Sequence, residues 1–133
     1  LLDENPIYGI AVEELSTGDA CKKTANEYWQ AVIAGDTAGI QKLRPLAVGD
    51  EWNKVSACYE QNLPIKLIRI SGMNHLDDPG TFAEVTCVIQ TQDGREARCV
   101  LNIEIRETGG GKIGVVAGVR GPELEFVNEH TLY

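Results

Sequence analysis

Apolar positions recur at two periods along this chain, helical up to about residue 60 and alternating beyond Pro64. Cys21, Ala25, Tyr28, Trp29, Val32 and Ile33 share one face at helical spacing, while Lys22, Lys23, Asn26, Glu27 and Gln30 lie mainly off it. Ser16 precedes this run with Asp19 three residues on, a variant of the capping box that occupies free backbone N–H groups, so a helix is predicted to start there. Gly35–Asp36 ends that helix and caps a short second one carrying Ile40 and Leu43, which Pro45 stops near Arg44. Gly49–Asp50 repeats the punctuation, and Trp52, Val55, Cys58 and Tyr59 make a third apolar face through residue 60. Residues 1–15 have no clean period and contain Pro6 and Gly9, which predicts an extended arm or short turn.

Beyond Pro64, alternation and β-branched residues predict strands near 65–73, 82–92, 95–107 and 112–120. Ala83, Val85, Cys87 and Ile89 share one parity, as do Ala97, Cys99, Leu101, Ile103 and Ile105; the other parity is polar. A two-residue Asp93–Gly94 loop would set odd positions opposite even ones and mix the two faces. A three-residue loop, Gln92–Asp93–Gly94 with Gly94 left-handed in a G1 bulge, keeps the apolar faces together and sets Cys87 opposite Cys99. The last strand is read with Ile113, Val115, Ala117 and Val119 inward, after a Gly109–Gly111 turn, with Gly114 and Gly118 permitting bending or close backbone approach. Between Ile65 and Ile70 the apolar parity switches at 67–68, which fits either a bulge or burial on both faces. The expected fold is α+β, three N-terminal helices packed on a curved four-stranded antiparallel sheet.

Tyr28–Trp29–x–Ala31, then Ala34–Gly35–Asp36 and Ile40–x–x–Leu43, followed by a further helix and a four-stranded meander, resembles the nuclear-transport-factor-2-like superfamily. The likeness is to its short, lumazine-binding-like or cystatin-like members and extends in element order over roughly 16–120. It implies a cone, the sheet curling round the long helix with a pocket between them. Relatives of this kind include isomerases, cyclases and dehydratases as well as non-catalytic transport and assembly domains, and sheet-to-sheet pairing into dimers is common among them. Fold alone therefore does not settle function. The division that follows is an N-terminal arm 1–15, a single domain 16–127 and a C-terminal tail 128–133, with no internal repeat or linker.

The totals narrow the classes. A chain of 133 residues supports one core, and a net charge of -8 opposes binding to nucleic-acid phosphates. No apolar run approaches the roughly 18 residues of a membrane span. The chain begins with Leu rather than Met, which suggests an exported protein, periplasmic, secreted or lipid-anchored, whose leader has been removed, with a cytoplasmic location as the alternative. Four cysteines are compatible with two disulfides or with buried thiols.

Catalysts of the resembling family need an ionisable group inside the cone to move protons. The inward positions here are aliphatic, Ala or Cys, and Glu84, Glu96 and Glu104 take the outward parity. No catalytic residue is assigned. His75 and Asp77, with Asp78 beside them, form the only dense set of chemically capable groups, weighed against an ordinary Asp–Pro–Gly turn. Metal binding needs more convergent ligands than this loop offers, and no phosphate or cofactor fingerprint is present. Tyr28, Trp29, Trp52 and Tyr59 are read either as core or as the lining of a pocket for a small apolar ligand. Cys87 and Cys99 could bridge across the strands only as a non-hydrogen-bonded pair, and a Cys21–Cys58 bridge between helices is the other candidate. The chain is read as a non-catalytic domain binding a ligand or protein partner. The alternatives are a small-molecule isomerase, dehydratase or cyclase with His75 or Asp77 as base, and an assembly module pairing into a homodimer through its sheet face.

Overall fold

A computed structural model describes residues 9–12, 15–44, 50–62, 64–75 and 82–126, with only the backbone path described at 50–53, 62, 75 and 120–125. Helix α1 spans Thr17–Ala34, and Ser16 caps it: its Oγ accepts from the Asp19 N–H at 3.2 Å. Gly35 closes the helix at φ 69, the left-handed conformation that costs glycine nothing. Asp36 then caps α2, Thr37–Leu43, by accepting from the Gly39 N–H at 3.0 Å, and Arg44 turns extended as a residue before proline must. Helix α3 spans Asp50–Asn62.

The sheet has five strands, not the expected four. They are β1 Ile10–Ala11, β2 Pro64–His75, β3 Phe82–Thr91, β4 Glu96–Thr108 and β5 Gly111–Phe126, in the order β1-β5-β4-β3-β2, every pairing antiparallel. The added strand is two residues long, too short to show alternation, and exists because Ile10 and Ala11 pair with Gly114 and Ile113.

The β3–β4 hairpin closes as predicted. The Thr91 N–H donates to Arg95 O at 2.8 Å, the Gly94 N–H donates to Thr91 O at 3.0 Å, and Gly94 sits at φ 86. Cys87 therefore faces Cys99. In β2 the register slips between Pro64 and Lys66, Leu67 and Arg69, and Ile70 and Gly72, leaving Ile65, Ile68 and Ser71 as extra residues. The parity switch at 67–68 is thus a bulge, one of three that add twist and curl the sheet.

Strand β5 corrects the expected inward set. Asn102 pairs with Gly118 but Ile103 with Val116, so Ala117 is the extra residue and the parity reverses there. Val119, Val116 and Gly114 take the rows of Leu101, Ile103 and Ile105, whereas Val115 and Ile113 fall in the outward rows of Glu104 and Arg106. Gly114 faces α1 so closely that a Cβ on it would overlap Thr24 Oγ1. Helix α1 lies on the inward face and joins Tyr28, Trp29 and Val32 to Val85, Leu101, Ile103 and Val119 in one core. Helix α3 packs beside β5, where Ser56 Oγ accepts from the buried Val119 N–H at 3.1 Å. Together with β1 it covers the β5 edge; the opposite edge, β2, is guarded by its bulges and by Lys66 and Arg69.

Candidate functional site

Among the described residues, buried side chains pack the space between α1 and the sheet. Tyr28 and Trp29 are fully buried and meet edge to face, ring centroids 5.1 Å apart, and Tyr59 is buried beside them in the same cluster. These three are core residues rather than the lining of an aromatic pocket; the side chain of Trp52 lies outside the described residues. The thiols share that interior. Burial pushes Cys21 up to about 11 and Cys87 up to about 12, the latter against a weaker opposing pull from the Trp29 indole. That indole N–H has no hydrogen-bond partner of good geometry, so the Cys87 sulfur is at most a loose acceptor. Thiols held this far above neutrality are poor nucleophiles.

All four cysteines are thiols. The hairpin explains why Cys87 and Cys99 stay so. Thr91 and Arg95 are joined by a ladder hydrogen bond, and the register runs unbroken from there to Ala83–Ile103, so alternate pairs at 89–97 and 87–99 are also of the hydrogen-bonded kind. Their Cβ atoms stand farther apart than a disulfide tolerates without backbone movement. Cys21 is buried while Cys58 faces out from α3, which separates the members of the other candidate bridge.

One polar cluster escaped the sequence reading. The Tyr28 hydroxyl donates to Glu60 Oε1 at 2.5 Å, and Arg44 Nη2 donates to the same oxygen, tying α1, the end of α2 and α3 together. The Glu60 side chain is 15% exposed and that of Arg44 21%, so water screens the pair only partly. Burial first, and the Glu60 charge second, hold the Tyr28 hydroxyl well above its ordinary value of 10.0. A phenol that burial holds neutral, beside a carboxylate already engaged by an arginine, acts as a clamp between the helices. Residues spaced 16 and 32 apart in sequence leave no local pattern by which to find it.

A cavity of about 330 Å³ opens instead between α1, α2 and the short strand β1. Ala31 and Ala34 of α1 and Leu43 of α2 form its floor with Ile10; Gly9 and Gly39 keep it hollow, and Glu27, Asp36 and Lys42 mark its rim. Both glycines have structural reasons to be there: a Cβ on Gly9 would collide with Gly114 O, and one on Gly39 with the capping Asp36 carboxylate.

The outward sheet face carries short-range ion pairs, Glu104 with Arg106 at 2.5 Å and Arg69 with Glu96 at 3.8 Å. Arg69 stands opposite Val88 and Glu96 opposite Gln90, so this second pair reaches across β3 and helps bury Val88. His75 occupies the register position opposite inward-facing Ala83, with its side chain outside the described residues, as is all of Asp77 and Asp78. Among the described residues no three His, Cys, Asp or Glu groups converge as a metal site needs, and no helix is long and apolar enough to cross a membrane. Comparison with known proteins finds no matching family model, no matching curated protein and no matching solved structure.

Proposed function

We propose that this chain is a non-catalytic binding domain of the nuclear-transport-factor-2-like kind, with its sheet wrapped round α1 as a cone whose interior is packed shut. The supporting observation is the chemistry of that interior. Among the described residues, the side chains buried between α1 and the sheet are aliphatic and aromatic groups, one helix-bonded threonine and three thiols, and Tyr28 is clamped in its neutral form. Proton transfer needs a group that can change charge near neutral pH, and burial holds Cys21, Cys87 and Tyr28 in their neutral forms there. Binding then falls to surfaces: the α1–α2 groove and the mixed-charge outer face of the sheet.

The competing reading, a rim base at His75 or Asp77, draws on the placement of His75 opposite inward-facing Ala83. Heteronuclear NMR of labelled protein titrated with small aromatic ketones and carboxylates separates the two. Shifts confined to groove positions such as Ala31 and Gly39, with Val85 and Leu101 unmoved, support binding outside the cone. Saturable shifts at Ala83 and Ile103 that follow the titration of His75 would overturn it.

A further inference from the structure

Ile65 is the one exposed large aliphatic residue among those described, at 51%, and it lies at the opposite end of the sheet from the groove. A single exposed aliphatic side chain is ordinary on a protein surface. Three observations give this one a destination. As the extra residue of a bulge at the start of the β2 edge it has no partner on β3. Lys66 follows it directly, whereas two carboxylates, Asp36 and Glu27, the latter with Lys23 at 3.6 Å, stand on the groove rim against one lining cation, Lys42. The groove floor of Ile10, Ala31, Ala34 and Leu43 is apolar, and its volume of about 330 Å³ exceeds an isoleucine side chain.

We propose that the chain assembles with copies of itself head to tail, Ile65 of one copy seated in the α1–α2 groove of the next and Lys66 meeting the Glu27–Asp36 rim. The inference rests on the reading of this chain as a surface-binding domain. A knob and a hole on different parts of one molecule make a heterologous contact, which grows into a ring or an open filament rather than stopping at two. It differs in that respect from pairing through the sheet face, where one patch meets itself and the assembly closes as a dimer.

Sedimentation velocity over about 5 to 500 µM, the range of weak protein contacts, tests this. The mean mass is expected to rise with concentration past that of a dimer, or to plateau at a closed ring of more than two. Ile65→Glu removes the knob, and Ala34→Trp fills the hole from an exposed helix position; each should weaken association about tenfold or more, with the helical circular-dichroism signal unchanged. An equimolar mixture of the two variants should form a one-to-one complex and nothing larger, because each keeps one intact half of the contact. A wild-type chain monomeric throughout, or a dimer that both variants leave intact, overturns the proposal. Neither result touches the reading of a closed interior, which the NMR titration tests separately.

Discussion

At the scale of single residues, one close approach and one clamp carry testable weight. Gly114 lies under α1 where any side chain meets Thr24, so Gly114→Ala forces the helix away from the sheet and should cost about 1–3 kcal/mol in urea denaturation. Gly72 has open space at the same position, and Gly72→Ala should change stability by no more than about 0.5 kcal/mol. The contrast separates a steric requirement from a general weakness of glycine in strands. Glu60→Gln leaves Arg44 without its counter-charge in a setting water reaches poorly, and should destabilise by about 1–3 kcal/mol. Alkaline pH tests the same clamp from the other side. Cys21, Cys87 and Tyr28 all bind their protons more tightly folded than unfolded, so their contribution is whole below about pH 9. It falls as pH rises further, because the unfolded chain releases protons that the fold retains. Urea-unfolding free energies should therefore decline from about pH 9 upward, less steeply in Tyr28→Phe than in the wild type. A flat profile to pH 11 would mean that these groups are hydrated in the native state.

Elements differ in how plainly the sequence announces them. Helix α1 was legible because its signals are local and agree: Ser16 and Asp19 at one end, Gly35 at the other, an apolar face between. The β3–β4 register was legible because only one loop length keeps both apolar faces together. Substituting Gly94 tests that turn: Gly94→Ala must hold φ 86 against its Cβ and should lose about 1–2 kcal/mol, while Gly94→Asn should lose less. Strand β1 and the inward set of β5 were not legible, for the same reason. A two-residue strand has no alternation to read, and a bulge at Ala117 reverses alternation without changing the kinds of residue involved. Val115 and Val116 are both valine, and only the pairing decides which of them faces the core. The candidate bridges followed a similar course. Sequence could set Cys87 opposite Cys99, but whether that pair carries ladder hydrogen bonds depends on the closing bond of the turn at Thr91 and Arg95.

For the molecule as a whole, what the sequence conveyed about a site was mostly an absence of inward base, inferred from strand parity. The aromatic faces offered either core or pocket, and packing resolved Tyr28, Trp29 and Tyr59 as core. The Arg44–Glu60–Tyr28 clamp and the α1–α2 groove were out of reach, since the first arises where three helices meet and the second where α1, α2 and β1 meet, not from any run of residues. Three cysteines report on the space between α1 and the sheet from both walls: Cys21 on the helix, Cys87 and Cys99 on the strands. Timed reaction of the native protein with an aromatic disulfide reagent reads it directly. Cys58 alone should react within the mixing time, and the other three only as fast as the whole domain unfolds, with all four titrating in denaturant. Rapid labelling of Cys87 or Cys99 in the native state, without unfolding, would contradict a closed interior and return the cone to consideration as a working pocket.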